Sequence, residues 1–261
     1  MIGAAVATHV SLGQVAGALV LVAVAIGVSY WRKADLEQDI AVAVIRSFVQ
    51  LTAVGYVIQG IFNSDSLALV VALLAFMVVF GAWTARSRAK AVPRVFVPLL
   101  IALGVAAVAT LGIVLLLNVF PAKPRYMVPV GGMVIGNAMT AASVALNRLA
   151  DEIHDKAGLI EATLALGATA QQATTRLVAR SLRSGLIPLI DQTKTTGMVF
   201  FPGTMVGALL GGATPLNAVR LQLILLWTLM GAASISSLIA TGLAQTRFFT
   251  AAHQLVDQPV P

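Results

Sequence analysis

Five methionines are the side chains best suited to bind a metal ion in the apolar part of this sequence. Their thioethers suit soft ions such as Cu(I). They are Met127, Met133, Met139, Met198 and Met205. Spacings of six and seven residues do not keep them all on one helix face, and Met is also an ordinary filler of apolar interiors. Hard ions need oxygen or imidazole ligands, which the apolar stretches lack. The residue types therefore predict no metal site.

Hydroxyl and imidazole side chains do not combine into a nucleophilic site either. The serines considered are Ser143, Ser234, Ser236 and Ser237, and the histidines are His9, His154 and His253. No histidine lies in an apolar stretch where it could activate a serine. The chain has no cysteine, which excludes disulfides, thiolate metal sites and a cysteine nucleophile. We predict no catalytic residues, and an intramembrane protease or lipid transferase is disfavoured.

Composition indicates that the chain lies in a lipid bilayer. Of its 261 residues, 59% are hydrophobic and 10% are charged, whereas about a quarter of an ordinary soluble domain is charged. The net charge of +7 could indicate nucleic-acid binding, but the basic residues mostly stand between apolar stretches and are not interleaved with aromatic ones. We predict an all-α, multi-pass membrane protein that contacts lipid and binds no nucleic acid.

Seven apolar stretches are long enough to cross the hydrocarbon core, which takes about 20 residues in a helix. They are about Leu12 to Trp31, Ile40 to Phe62, Leu67 to Ala85, Val95 to Val119, Met127 to Leu146, Thr195 to Leu210 and Leu216 to Leu243. The N-terminal residues lack a basic region and a convincing cleavage site, so we expect the first stretch to be retained. The sequence predicts a bundle of about seven transmembrane helices.

Basic residues alternate between the connections of this bundle. Connections richer in Lys and Arg are 32–33, 86–94 and 148–194, and connections poorer in them are 63–66, 121–126 and 211–215. Since Lys and Arg accumulate in cytoplasmic loops, we expect the N-terminus outside and the C-terminus inside. Only the 148–194 connection could hold a folded unit. We therefore predict one transmembrane domain over residues 1–261, with no nucleotide-binding domain.

Two polar residues share one face of the second predicted span. Arg46 and Gln50 are four residues apart, and an arginine about two turns inside the apolar boundary is costly unless it snorkels or pairs. Arg46 therefore either reaches back to the cytoplasmic headgroups or lines a polar translocation path with Gln50. Loss of transport on Arg46→Leu would indicate the path.

Proline and glycine mark the fifth and sixth predicted spans. The fifth opens with Pro129 and paired glycines and continues to Asn137. Its helix is either interrupted, with a binding site at the interruption, or continuous, with small residues that let another helix approach. In the translocation-path interpretation Met133 and Asn137 line the path, together with Met198 of the sixth span.

The segment 148–194 is the most informative part of the chain. From Arg148 to Leu166 its pattern is that of an amphipathic helix, and Gly167 can end that helix. Thr169, with Gln172 three residues later, has the form of a capping box that starts a second helix. The segment therefore predicts an elbow of helix, tight turn and helix.

The second helix of this elbow carries arginines along one face. We expect it to lie along the inner leaflet and to be broken by Pro188, before the chain re-enters the bilayer near Asp191 and Lys194. A short helix and turn presented to the cytoplasm can bind a groove on a soluble partner. A solvated connector is the alternative.

Several motifs resemble one family of transport proteins. EATLALGAT, from Glu161 to Thr169, resembles the Glu-Ala-x-x-x-x-Gly coupling sequence of ABC permeases, although Thr163 stands in its alanine-rich triplet. An Arg-x-x-x-Gln-Leu pattern at Arg46, then GAWTARSR, GGMVIGNAM, IPLIDQTKTTG and FPGTM follow in order along most of the chain. These motifs are similar to the FetB-like ABC permeases, which include bacterial iron exporters and plant aluminium-tolerance permeases.

This resemblance implies a permease subunit that exports a metal ion or metal complex across the plasma (inner) membrane. The residues it implies in ATPase coupling are Glu161, Ala162, Gly167, Ala168 and Thr169. It places Asp191 and Lys194 at the cytoplasmic mouth of the path. It also implies a permease homodimer with two separate ATPase subunits. ATP and Mg would then bind the partner, and this chain would need no cofactor.

Two other transport functions are alternatives. A stand-alone secondary transporter or channel would need a coupling-ion site such as an acidic residue in the membrane, and the predicted spans contain none. Export of a non-metal solute such as a nucleotide sugar would keep the ABC architecture, since one plant relative in the resembling family is linked to nucleotide-sugar transport.

Overall fold

The computed structural model of the chain describes residues 11–64, 66–250 and 254–256. The regular structure of these residues is helical. The helices are α1 Leu12–Arg32, α2 Glu37–Ser64, α3 Leu67–Arg88, α4 Phe96–Leu116, α5 Pro124–Asp155, α6 Ala157–Ala165, α7 Ala170–Thr195, α8 Gly203–Leu210 and α9 Pro215–Gln245, followed by a 3₁₀ turn at Thr246–Phe248. The all-α prediction is confirmed.

Six helices in the described ranges are long and apolar enough to cross a membrane, namely α1, α2, α3, α4, α5 and α9. Their lengths of 21 to 32 residues exceed the roughly 20 residues that a bilayer requires. Proline stands in the first turn of both α5 and α9, where its missing N–H costs no helical hydrogen bond. A multi-pass membrane protein follows from these helices.

The predicted sixth span, Thr195 to Leu210, is not a single helix. Thr195 ends α7, Gly197 has a φ of +90°, and α8 has only eight residues, or about 12 Å. Hydropathy averages over a window and does not register the chain reversal at Gly197 or the start of a new helix after Pro202. The described residues therefore contain six long apolar helices where the sequence predicts seven.

The fifth predicted span is continuous, so the interpretation of an interrupted helix is wrong there. α5 includes Pro129 within its 32 residues. Gly131 lies against Leu74 of α3 so closely that any side chain at 131 would overlap it, and Gly132 lies near Met77. Small residues here let two helices approach, which was the other interpretation.

The chain divides into two compact units. The first contains α1 and α2, which pack on each other. Ser29 fixes their connection, since its Oγ donates to Glu37 Oε1 at 2.7 Å and accepts from the Leu36 N–H at 3.1 Å. The prediction of one membrane domain over the whole chain stays a prediction.

The second unit is built around α5, which packs against α3, α4, α7 and α9. Alanines fill much of this core, among them Ala102 and Ala106 of α4, Ala138 and Ala142 of α5, and Ala232 and Ala233 of α9. Small side chains bring the backbones close enough for the Ser236 Oγ to donate to the Ala138 carbonyl at 3.0 Å. Close backbone packing of this kind stabilises helix pairs in a bilayer.

Candidate coupling elbow and the polar end of α7

The predicted elbow is present, and its first arm is two helices rather than one. α5 extends to Asp155, well beyond the apolar stretch, and α6 begins at Ala157 after a break at Lys156. Ile160 is the only buried residue of α6, with 1% of its surface exposed. The half-buried Leu164 also packs against the core, whereas five of the nine residues of α6 are exposed.

The turn between α6 and α7 has the predicted chemistry. Gly167 has a φ of +88°, a left-handed conformation that favours glycine at the end of a helix. The Thr169 Oγ1 accepts from the Gln172 N–H at 3.3 Å, and the Gln172 Oε1 accepts from the Thr169 N–H at 2.9 Å. These bonds confirm the capping box. The turn is thus fixed by its own sequence.

The outer surface of α6 and this turn presents the predicted coupling residues together. Glu161, Ala162, Gly167 and Thr169 are exposed, and Ala168 is half-buried. Two large apolar side chains accompany them: Leu159 is 66% exposed and Leu166 is 89% exposed. Exposed apolar side chains around a carboxylate suit a protein contact surface, and the solvated connector stays the alternative.

A buried carboxylate joins the three helices of the elbow, and the sequence analysis missed it. Glu152 of α5 is 4% exposed. Its Oε1 accepts from Arg148 at 2.6 Å, and its Oε2 accepts from Lys156 and from Arg180 of α7, the latter at 3.4 Å. One acidic group therefore ties the end of α5 to the start of α6 and to the middle of α7.

The sequence spacing indicates two of the three ion pairs in this cluster. Arg148 and Lys156 stand four residues before and after Glu152, which is the spacing of ion pairs on one helix face. Arg180 is 28 residues away, and only the packing of α7 on α5 brings it there. The burial of Glu152 depends on that packing as well.

α7 packs on the rest of the unit along one face. Its buried residues are Thr174, Leu177, Ser181, Gly185 and Leu189, which recur every three or four residues. The Thr174 Oγ1 donates to the Gln245 Oε1 of α9 at 3.4 Å. A side chain at Gly185 would come within 2.6 Å of the Ala141 carbonyl oxygen. α7 packs its buried face on α5 and α9, and its position along the inner leaflet stays a prediction.

The predicted helix break at Pro188 is wrong, because α7 continues to Thr195. Proline inside a helix costs about 3 kcal/mol. Gly185 and Leu189, on either side of Pro188, are both buried, while Pro188 itself is exposed. Tertiary packing of these two neighbours therefore outweighs the local preference for a break.

The continued helix carries Asp191 and Lys194 along the apolar part of α5. α7 runs antiparallel to α5, since Arg180 pairs with Glu152 whereas Gly185 meets Ala141. Six further residues add about 9 Å, so the Asp191 end of α7 points toward the N-terminal half of α5. The Lys194 Nζ lies 3.3 Å from the Asp191 Oδ1, and both side chains are more than 60% exposed. An ion pair is thus placed next to an apolar stretch, where charged groups are costly.

The chain is interrupted immediately after this pair. The Gly197 N–H donates to the Phe200 carbonyl at 2.8 Å, and α8 starts only at Gly203. The Thr204 hydroxyl donates to Gln222 of α9. α7 and α8 are therefore separate helices that a turn at Gly197 connects.

The other path candidates are scattered over different surroundings. Arg46 and Gln50 are exposed on α2, in the first unit. Met133 packs against the core of the second unit, and the Asn137 amide donates to the Met133 carbonyl of its own helix at 2.9 Å. Met198 is 83% exposed. Within the second unit, Met133 and Met198 thus have different environments and do not resemble a thioether site.

Carboxylate and imidazole groups do not cluster in the part of the chain that the structure describes, where no group of three could hold a metal ion. His154 is exposed at the end of α5. His9 and His253 lie outside the described residues.

Comparison with known proteins shows the family. Residues 12–249 match the model of an uncharacterised protein family, UPF0014. Protein ALUMINUM SENSITIVE 3 of Arabidopsis thaliana is 42% identical over 92% of this chain and 88% of its own length. The rice membrane protein STAR2 is 41% identical over 92% and 84%. The Escherichia coli protein named "Probable iron export permease protein FetB" is 37% identical over 92% of each chain. No solved structure matches.

Proposed function

Because this chain belongs to the UPF0014 family of membrane proteins, we propose that it is the permease subunit of an ATP-driven ABC transporter that exports iron or another metal ion or complex. The name of the E. coli relative supports both transport by a permease and the metal substrate. ATP and Mg then bind a separate ATPase subunit. The transporter contains two permeases and two ATPases and acts in the plasma membrane, with the elbow on the cytoplasmic side.

The single observation that carries this proposal is the exposed surface of α6 and its turn. Glu161, Leu159 and Leu166 project from a helix that is buried at Ile160 alone, and the Glu152 ion pairs connect that helix to α5 and α7. A surface that is open to a partner but tied to membrane helices can pass a partner's movement into the membrane.

The polar end of α7 is the part of the path that this movement reaches. Asp191 and Lys194 lie on the same helix that Arg180 ties to Glu152. Charged side chains beside an apolar stretch are functional by default, since they need water, a partner or a substrate. The end of α7 at Thr195 also places the negative end of its helix dipole here, which favours cations.

The test is co-purification of the tagged permease in mild detergent with the ATPase that is encoded beside it. We expect a stoichiometric ATPase with the native sequence and at least a tenfold loss of it with Glu161→Lys, because reversal of a contact charge costs about 1.4 kcal/mol or more. Asp39→Lys is the matched control, since Asp39 is an exposed acid on α2, off the elbow, and should retain the ATPase.

Equal retention of ATPase by the native chain and Glu161→Lys would contradict the docking surface. A homo-oligomer that carries no ATPase, from cells that make the candidate subunit, would instead favour a stand-alone transporter. When the purified complex is placed in vesicles, its rate of ATP hydrolysis should rise if Fe²⁺ is present on the side from which the transporter takes its substrate. If nucleotide sugars and not metal ions stimulate ATP hydrolysis, the proposed substrate is wrong and the proposed ABC transport function stands.

A further inference from the structure

The end of α3 and its connection to α4 border an open cavity of about 760 Å³. Arg86 of α3 and Lys90 and Arg94 of the connection line it, together with Trp83 and Phe96. A volume of this size is ordinary for a small-molecule site. Three cationic side chains thus converge on one cavity at the end of two apolar helices.

These cations have no carboxylate near them in the sequence. The chain contains no Asp or Glu between Asp65 and Asp151. Within the described ranges, no ion pair involves Arg86, Lys90 or Arg94, whereas Arg148, Lys156 and Arg180 share Glu152. The cavity therefore has an excess of positive charge, which a bound anionic ligand can neutralise.

The wall of the cavity is built by the fold and is not a loose loop. Ala89, Val92 and Val95 of the connection are at most 3% exposed. The Ala89 N–H donates to the Ala85 carbonyl at 3.0 Å, and the Val92 N–H donates to the Ala89 carbonyl at 3.2 Å. Arg94 is held at a φ of +48°, which a non-glycine residue rarely adopts. The cationic side chains therefore start from fixed backbone positions.

From this geometry we propose that the cavity binds the phosphate headgroup of an anionic phospholipid. Arg86, Lys90 and Arg94 bind the phosphate, with the planar guanidinium groups suited to two of its oxygens. Basic pockets at the ends of transmembrane helices bind anionic headgroups in this way. This proposal depends on the membrane location of the chain and is independent of the transport function.

The apolar part of the lining distinguishes a lipid from a free phosphate. Trp83 is 63% exposed and Val97 is 51% exposed, and both lie beside the cationic groups in the lining of the cavity. Trp is typical of the interface between headgroups and acyl chains. A lipid places its phosphate on the cations and its glycerol and first methylenes against Trp83 and Val97. Inorganic phosphate would contact the cations alone.

The test is native mass spectrometry of the full chain after delipidation and titration with phosphatidylglycerol or phosphatidylcholine in mixed micelles. We expect phosphatidylglycerol to be retained and phosphatidylcholine not to be. The triple variant Arg86→Gln, Lys90→Gln, Arg94→Gln should weaken phosphatidylglycerol retention at least tenfold. The control triple Arg88→Gln, Arg176→Gln, Arg183→Gln removes the same charge from exposed positions outside the lining and should retain it.

Equal loss of lipid in both triple variants would overturn the site, because it would show a general response to positive charge. Full competition by glycerol phosphate at the concentration of the lipid would overturn the lipid as the ligand and leave a free-phosphate site. Lys90→Glu changes one exposed side chain, so it tests the site if the triple variant aggregates; unchanged retention in this variant would also contradict the proposal.

Discussion

Two groups of basic residues at the same predicted side of the bilayer have opposite environments. At the end of α5, three cations surround one buried carboxylate, Glu152. At the end of α3, Arg86, Lys90 and Arg94 face a cavity, and the chain has no acidic residue from 66 to 150. Both groups satisfy the positive-inside rule equally well. The rule therefore explains the orientation of the helices in the membrane but not the role of each basic group. One group holds helices together, and the other is open to an external anion.

Removal of the shared carboxylate should have the largest effect on stability. Glu152→Gln leaves three cations without their common partner, and charge-assisted hydrogen bonds to a buried group contribute roughly 2 kcal/mol. We expect the midpoint of thermal unfolding in detergent to fall by about 4 °C. The neighbouring Asp151→Asn, an exposed acid without an ion pair in the described residues, is the matched control. An equal fall in both variants would mean that the Glu152 cluster has no special role.

Removal of one cation from the same cluster should have a smaller effect. Arg180 is 59% exposed and lies 3.4 Å from Glu152, so its ion pair contributes less than about 1 kcal/mol. Arg180→Gln should lower the unfolding midpoint by no more than about 2 °C. Combined with Glu152→Gln it should add little, because the two residues share one interaction. A fully additive double variant would show that they act separately.

Neutralisation of the cavity should have the smallest effect on the lipid-free protein. Arg86→Gln, Lys90→Gln or Arg94→Gln removes no ion pair that the described structure contains, so each should change stability by less than about 0.5 kcal/mol in detergent. Added phosphatidylglycerol should stabilise the native chain and not the triple variant. A large loss of stability without lipid would show that these cations have an internal partner, and the contrast between the two groups would disappear.

The sequence predicted features that depend on neighbours along the chain. The capping box at Thr169, the glycine turn at Gly167 and six of the seven predicted apolar helices need no distant contact, and the structure confirms them. Errors arose where packing decides. Pro188 should break a helix, but its neighbours Gly185 and Leu189 are held by burial, and the burial of Glu152 depends on the packing of α7 on α5.

The site is only partly readable for the same reason. Glu161 and Ala162 were placed on an exposed elbow from their motif, and they are exposed. The course of α7 past Pro188 to Asp191 and Lys194 follows from its packing on α5, which hydropathy does not report. The roles of these residues in coupling and transport stay predictions.

The close contact at Gly185 leaves no room for a side chain between α7 and α5. Because α7 is also buried at Thr174 before this contact and at Leu189 after it, about 22 Å of the helix is held against its neighbours. A displacement of the Thr169 end would therefore be carried along the whole helix to the Lys194 end, and α5 would have to yield with it.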